Sequence, residues 1–342
     1  MKISNVASIV NTKIDASILT THTYISTECM LPNCGGIENC SSIPNGKVTS
    51  FDKNDILLSN IRPYFKKLWF STRSGGCSND VICLRVANRE CLPKYLYYAL
   101  CTDKFIDSFS ASSKGTKMPR GDKNALLTYE IPDRNIEDQL HIVDILGTLD
   151  EKIENNNKII VELESILSSK YHELVARNTT EIPLSNCIEL YTGKLDANAA
   201  EENGKYPFFT CGITPEKINT YAFDCEAIII AGNGNFNVKY YNGKFNAYQR
   251  TYVIKANKYF AIILQHYKGK IKEWSSSARG SVIKFLTKSM LIDDTIKISN
   301  NYAKNEEYES FSKTIQEKIK NLLETNAKLN QLKQLYLKKF FG

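Results

Sequence analysis

Two long stretches of the chain carry apolar residues at the alternating three-and-four spacing of a helix that packs along a second helix. The first stretch follows Pro132, and either Asp133 or Asn135 can cap its first turn. Each stripe contains one asparagine, Asn156 or Asn326, which would fix the register of the packed helices. The stripes comprise Leu146, Leu149, Ile153, Asn156, Ile160, Leu163, Leu167, Lys170 and Leu174 in the first stretch, and Ile315, Ile319, Leu322, Asn326, Leu329, Leu332 and Tyr336 in the second.

Outside these stretches, short apolar runs bounded by turn residues indicate buried strands. Such turns include Gly75-Gly76 in the first half of the chain and Gly232-Asn233-Gly234 in the second. One short helix is also indicated in each half. The predicted strands are 56–58, 81–86, 227–231 and 251–254, and the predicted short helices are 95–100 and 259–265.

The two halves of the chain resemble each other in four blocks that occur in the same order. Each half therefore contains the same kind of globular unit followed by the same kind of long helix. The matched blocks are 3–16 with 184–197 at an offset of 181, 56–82 with 228–254 at 172, 112–131 with 277–296 at 165, and 151–163 with 317–329 at 166.

This repeat predicts an α+β fold with two tandem globular units, each followed by a long helix. A helix of about 40 residues extends about 60 Å, which makes it a spacer. We expect the two helices to pack as an antiparallel coiled coil within one chain, as a pseudo-twofold repeat. The alternative arrangement is a coiled coil between two chains. The predicted boundaries are 1–133 and 179–302 for the globular units and 134–178 and 303–342 for the helices.

Composition narrows the class of protein. The length of 342 residues suits two domains of ordinary size. The longest apolar runs, such as residues 259–264, are far shorter than the ~20 residues of a membrane span, so we expect a cytoplasmic protein without membrane contact. Seven of the ten cysteines lie in the first half and no CxxC occurs, which favours reduced, mostly buried thiols over a metal or disulfide framework.

Charge is distributed unevenly over a chain whose net charge is +7. The globular units carry +4 and +5, the first helix region (134–181) carries −5 and the last 42 residues carry +3. Basic units rich in aromatic residues and Asn suit a polyanion, because neutralising phosphates releases counterions and Arg, Lys, Asn and Gln read base edges. A basic surface that is merely solvated is equally compatible with the charge alone.

The most polar and irregular segments follow equivalent strands in the two halves, at residues 59–67 and 232–239. Loops on a rigid scaffold commonly carry recognition residues, and these two loops differ in sequence as two specificities would require.

Catalytic motifs are missing from the sequence. No two prolines are adjacent, so the Asn/Asp-Pro-Pro-Tyr/Phe loop of amino-methyltransferases is lacking, and no GxxxxGK[ST] occurs, which excludes ATP-driven translocation by this chain.

Four segments resemble the specificity subunits of type I restriction-modification systems. They are residues 55–63 (DILLSNIRP), the 112–119 run around Gly115, and the pair 136–139 (IEDQ) and 149–153 (LDEKI). The resemblance covers essentially the whole chain. The second half departs from it at 305–310, which lacks the Glu-x-Gln of 137–139, so the partner contact at that end is expected to differ.

The resemblance implies that each globular unit is a target-recognition domain reading one half of a bipartite, asymmetric site in double-stranded DNA. It also implies that the helices set the spacing and dock two methyltransferase subunits, with restriction subunits as a further partner. S-adenosylmethionine is expected to bind the methyltransferase. This chain itself is expected to contain no cofactor, no metal and no catalytic residue. Candidate partner contacts are Glu137, Asp138 and Gln139.

Two other functions are compatible with basic units, namely a stand-alone DNA-binding regulator and a protein adaptor with two terminal binding modules. A regulator would need no long acidic helix, and an adaptor would bind DNA weakly even at low salt. The DNA-binding candidates under the preferred hypothesis are Asn60, Arg62, Tyr64, Lys66, Lys67, Lys114, Lys117, Arg120, Asn233, Asn235, Asn237, Lys239, Arg250, Arg279 and Lys284.

Overall fold

The structure, a computed structural model, describes residues 1–113, 115, 118–276 and 285–342. The chain divides into two compact units. Unit 1 comprises Met1–Asn155 and Thr325–Gly342, and unit 2 comprises Asn156–Glu324. The boundaries between the units fall inside the two long helices, so each unit contains one part of each helix.

Unit 1 combines two sheets with several helices. The described strands form a sheet in the order β1-β8-β5-β6 and another in the order β2-β4-β7-β3. The elements up to the first long helix are α1 Ile3–Val6, β1 Ala7–Ile9, β2 Lys13–Asp15, β3 Tyr24–Ile25, β4 Lys47–Phe51, β5 Ile56–Ser59, β6 Leu68–Phe70, β7 Gly75–Cys77, β8 Val81–Val86, α2 Pro93–Leu100, α3 Asp103–Ala111, α4 Lys123–Thr128 and α5 Ile136–Leu174.

Strand β5 is the centre of unit 1. It pairs antiparallel with β6 on one side and with β8 on the other. Ile56 and Leu58 face a core that includes α2 and α3, whereas Leu57 faces a second core with Phe51 and Trp69. Because successive side chains of a strand point to opposite faces, a continuous apolar run is buried on both sides here.

Unit 2 repeats this plan with a larger sheet, whose described strands run in the order β10-β15-β13-β14-β11-β12, and with a β16-β9 pair. Its central strand buries Ile228 and Ile230 against a core with the following helix, and Ile229 against Phe245. The elements are β9 Thr179–Pro183, β10 Ile188–Thr192, β11 Tyr206–Phe209, β12 Glu216–Ile218, β13 Phe223–Ala231, β14 Val238–Ala247, β15 Thr251–Ala256, α6 Phe260–Ser276, α7 Lys288–Ile292, β16 Thr295–Ser299 and α8 Tyr302–Phe341.

The α+β prediction is confirmed, with sheet-containing units and the two long helices α5 and α8. All four predicted strands are present, and the two short helices correspond to α2 and to the first part of α6. Asn135 rather than Asp133 caps α5, since its side chain accepts the Asp138 N–H at 2.8 Å.

Within each unit, the start of one long helix lies beside the end of the other, as expected for an antiparallel pair. In unit 2, the Tyr308 hydroxyl donates to the Leu167 carbonyl at 3.1 Å, and Leu163, Leu167 and Ile319 form a small core. In unit 1, Leu146 near the start of α5 shares a core with Leu337 near the end of α8.

The predicted stripe of α8 needs one correction. Leu332 is 40% exposed, whereas the neighbouring Lys333 is buried. The Lys333 ammonium donates to Asp150 at 2.6 Å, and the Tyr98 hydroxyl donates to the same carboxylate at 2.9 Å. A lysine occupies an interior position here because α5 supplies its counter-charge.

A buried amide fixes the first turn of each long helix. In α5, Gln139 is completely buried, donates to the carbonyls of Glu90 and Arg134, and accepts the Leu92 N–H, each at 2.8 Å. In α8, Asn305 occupies the equivalent repeat position and bonds both the N–H and the carbonyl of Ser299, at 3.0 and 2.8 Å. The loop that precedes each helix is thereby attached to it.

The cysteines follow the sequence prediction with one exception. Cys29 and Cys40 form a disulfide, with Cα atoms 5.2 Å apart, so the expectation of reduced thiols is wrong for this pair. The two residues face each other across the loop between β3 and β4, which has no matched counterpart in the second half. The other cysteines in the described ranges are free, and five of them are buried.

None of the described helices is both long enough and apolar enough to cross a bilayer. In the same part of the chain, His, Cys, Asp and Glu side chains do not gather in groups of three or more that could hold a metal ion.

We predict that Gln139→Ala lowers the free energy of unfolding in urea by about 1–3 kcal/mol, because the buried Leu92 N–H and two carbonyls lose their partner. His141→Ala is the control on the exposed face of the same helix, with an expected change within about 0.5 kcal/mol. Equal stabilities of the two variants would show that this amide does not hold the helix start.

Candidate nucleic-acid interface

The polar segment that follows β5 forms a tight, well-defined turn. Pro63–Phe65 is a single 3-10 turn, in which the Phe65 N–H donates to the Arg62 carbonyl at 3.0 Å and the Lys66 N–H to the Pro63 carbonyl at 2.8 Å. Arg62 and Lys66 flank this turn in left-handed conformation, with φ of 49° and 51°. Such angles are uncommon for residues other than glycine. The fold therefore imposes this conformation on the segment.

A distant part of the chain holds this turn in place. The Arg62 N–H donates to the Pro119 carbonyl at 2.8 Å, the Gly121 N–H donates to the Asn60 carbonyl at 3.1 Å, and Ile61 forms a β-bridge with Arg120. Gly121 also packs directly on the ring of Phe109 in α3, where a Cβ would lie 2.1 Å from the ring. We call this junction of 59–67 with 118–121 the unit 1 corner.

Unit 2 contains the same junction at the equivalent repeat positions. Asn233 forms a β-bridge with Phe285, and the Leu286 N–H donates to the Gly232 carbonyl at 2.8 Å. With offsets of 172 and 165, these contacts correspond to those of Ile61 with Arg120 and of Gly121 with Asn60. We call the junction of 232–239 with 285–286 the unit 2 corner.

The candidate side chains of the unit 1 corner differ in availability. Arg62, Tyr64 and Arg120 are exposed, although Arg120 also forms an ion pair with Asp80 at 2.9 Å. Asn60 is buried, and its Oδ1 has no hydrogen-bond partner among the residues that the structure describes, so it lies behind the loop surface.

The two lysines of this segment are engaged within the protein. Lys66 forms an ion pair with Asp103. The Lys67 ammonium donates to the Thr27 carbonyl at 2.7 Å, and partial burial lowers its pKa. Both lysines thus connect the corner to neighbouring parts of unit 1 and stabilise its position.

In the unit 2 corner, three of the candidates bind a turn that sequence analysis did not identify, at Cys211 and Gly212. The Cys211 thiol donates to the Asn233 side chain at 2.7 Å, and the Asn237 amide donates to the Cys211 carbonyl at 3.1 Å. Lys239 donates to the Gly212 carbonyl at 2.7 Å and to the Asn237 side chain. No motif in the sequence links this turn to the corner.

Electrostatics distinguishes Lys239 from an ordinary surface lysine. Burial of its side chain lowers the pKa of Lys239 to about 8, and the Cys211 thiol beside it acts in the opposite direction. Asn235 and Arg250 are exposed, and the Arg250 carbonyl accepts the Gly232 N–H at 2.9 Å.

Four further candidates, Lys114, Lys117, Arg279 and Lys284, lie outside the described residues. Among the proposed partner contacts, Glu137 and Asp138 are exposed in the first turn of α5. Gln139 is not available to a partner, because its side chain is fully buried and occupied by the three hydrogen bonds described above. The predicted partner contact of Gln139 is therefore corrected, because this side chain holds segments of the protein itself together.

Part of the chain resembles a known protein family. Residues 11–165 match the family described as Type I restriction modification DNA specificity domain. The chain is 41% identical over 167 residues to the Type I restriction enzyme EcoDI specificity subunit of Escherichia coli, an alignment covering 46% of this chain and 35% of the relative. It is 27% identical over 217 residues to the HindI specificity subunit of Haemophilus influenzae, covering 57% of this chain and 46% of that protein.

The chain therefore spans less than half the length of these curated relatives. Its fold resembles the crystal structure of a type I restriction-modification S subunit from M. genitalium, with a TM-score of 0.60 and 18% identity over 100% of this chain and 95% of that one. Residues 11–165 of the chain accordingly resemble the type I restriction-modification DNA specificity domain family, as the sequence motifs predicted.

Proposed function

We propose that this protein is a non-catalytic DNA-recognition subunit, in which each unit reads one part of a two-part, asymmetric site in double-stranded DNA. The observation that carries this proposal is the pair of equivalent corners. Each unit uses the same backbone junction to present a loop, but the exposed side chains differ, with Arg62, Tyr64 and Arg120 in unit 1 and Asn235 and Arg250 in unit 2. A common scaffold with different exposed groups suits two different half-sites.

The chemistry of the exposed groups suits base recognition in the major groove. Arginine pairs bidentately with guanine and asparagine with adenine, each pair being worth about 1–3 kcal/mol of discrimination. We assign the direct base contacts to Arg62, Arg120, Asn235 and Arg250, and a phosphate contact to Lys239. Asn60, Asn233 and Asn237 are assigned to positioning, because their side chains are turned into the protein.

We further propose that the chain positions two methyltransferase subunits, which would supply S-adenosylmethionine, and that restriction subunits can join them in the cytoplasm. The names of its relatives, subunits of restriction enzymes, support this assembly. The long helices also offer a surface, since Glu137 and Asp138 are exposed and α5 leaves Val161 66% exposed.

Selection of DNA from a random duplex library tests the proposed function. The full chain, co-purified with the methyltransferase proposed as its partner, should enrich two short motifs separated by a fixed unspecified gap. Enrichment of a single continuous motif by the chain alone would favour a stand-alone regulator. Failure to enrich any sequence, with weak binding even at low salt, would favour a protein adaptor.

We predict that Arg62→Gln lowers the slope of log affinity against log salt by about one, because one cation that faces DNA is lost. Glutamine keeps a polar side chain that can still donate hydrogen bonds but carries no charge. Arg89→Gln, an exposed arginine of unit 1 in the loop after β8, is the control. A slope that changes in the control but not in Arg62→Gln would place the DNA on another surface.

We predict that DNA affinity falls as the pH rises through about 8, where Lys239 loses its proton in the free protein. Phosphate contact favours the charged amine, so the fall should approach about tenfold per pH unit above the pKa. Lys239→Met should remove this dependence, and Lys205→Met, at an exposed lysine, should retain it. An identical pH profile for Lys239→Met and the unchanged protein would exclude a DNA contact by Lys239.

A further inference from the structure

The unit 1 corner ends in a pair of exposed aromatic rings that the assignments above leave unexplained. Tyr64 is 53% exposed and Phe65 is 41% exposed, and their ring centroids lie 4.8 Å apart. Met118, on the other strand of the junction, is also exposed. Large apolar side chains clustered at the tip of a polar loop indicate an interaction site.

The ring pair stands on a rigid base. Beyond the hydrogen bonds of the 3-10 turn, the Asn33 N–H donates to the Phe65 carbonyl at 2.9 Å and the Cys34 N–H donates to the Lys66 carbonyl at 2.8 Å. The backbone of both aromatic residues is thus fixed from the loop between β3 and β4. Little conformational entropy remains to be lost there when the rings contact a ligand.

The repeat shows that the fold does not require these rings to be exposed. Phe236 of unit 2 occupies the position of Tyr64, yet it is buried and packs edge-to-face on Trp274 of α6, with centroids 6.4 Å apart. Asn237 occupies the position of Phe65. Unit 2 covers its ring with a helix, whereas unit 1 presents two rings to solvent.

The surroundings of the ring pair favour a nucleic acid over an apolar protein surface. Four cationic side chains lie near it, with Arg62 and Arg120 exposed beside it and Lys66 and Lys67 behind it. Three acidic side chains are close to them, since Asp80 pairs with Arg120, Asp103 pairs with Lys66 and Glu28 lies near Lys67, so the corner keeps an excess of positive charge. Aromatic faces among cations match the flat bases and the phosphates of DNA.

We propose that Tyr64 and Phe65 form an aromatic wedge that stacks against unstacked bases of the duplex bound by unit 1. This inference rests on the proposed DNA-recognition function and adds a local opening of the base stack within one half-site. The wedge distinguishes the two units, because unit 2 lacks an exposed pair at this position.

Fluorescence of 2-aminopurine tests the wedge. The probe is a duplex carrying the motif enriched by selection, with 2-aminopurine replacing one adenine at a time, bound to the full chain with its methyltransferase in the absence of S-adenosylmethionine. We expect increased fluorescence at one position of the half-site read by unit 1. Tyr64→Ala combined with Phe65→Ala should remove this signal and weaken binding about tenfold, with an unchanged salt slope because no charge is lost.

Matched variants separate stacking from folding defects. Tyr64→Phe keeps the ring and should keep the fluorescence signal, and Ile18→Ala removes an exposed apolar side chain of unit 1 outside the corner and should change neither signal nor affinity. Normal affinity and fluorescence in the double alanine variant would overturn the wedge and leave the proposed function intact. A double variant that binds DNA normally but loses the methyltransferase would overturn it too, in favour of a protein contact. Absence of DNA binding by the unchanged complex would overturn both proposals.

Discussion

The organisation of both units depends on one backbone interaction, the hydrogen-bonded junction between the loop after the central strand and a segment far along the chain. In unit 1 it joins Asn60 to Gly121, and in unit 2 it joins Gly232 to Leu286. The central strands are buried on both faces, so the loops that leave them start from a fixed position. The junction extends this order into polar segments that would otherwise have few packing contacts, and it gives both units the same recognition scaffold.

The two corners share this backbone arrangement, but their polar side chains find different hydrogen-bond and ion-pair partners. Unit 1 uses ion pairs, such as Arg120 with Asp80, and leaves aromatic rings exposed. Unit 2 uses neutral hydrogen bonds to the turn at Cys211, together with a lysine whose burial lowers its pKa to about 8. Specificity can therefore diverge through side chains while the backbone geometry stays constant, as a duplicated recognition unit requires.

Local patterns in the sequence were sufficient to predict the elements that burial determines. The apolar runs at β5 and β13 predict strands, and the three-and-four spacing predicts α5 and α8. These elements are predictable because the residues that each element buries follow one another in the sequence at a regular spacing. Contacts between distant residues were not predictable in the same way. Lys333 replaces Leu332 in the interior because Asp150 supplies a counter-charge. Gln139 is buried because it partners backbone groups of two segments, Glu90 and Leu92 before α2 and Arg134 before α5. The role of the Cys211 turn was not predictable either, because it contacts residues that are distant in the sequence.

The central claim is that two equivalent corners read two halves of one DNA site. Single-molecule sequencing of host DNA, modified by this chain together with the methyltransferase proposed as its partner, tests the claim most directly when unit 2 alone is altered at Asn235. The account predicts a gapped two-part methylation motif that requires the chain, with only one part relaxed by Asn235→Ala. Relaxation of both parts together, or a continuous motif without a gap, would contradict it.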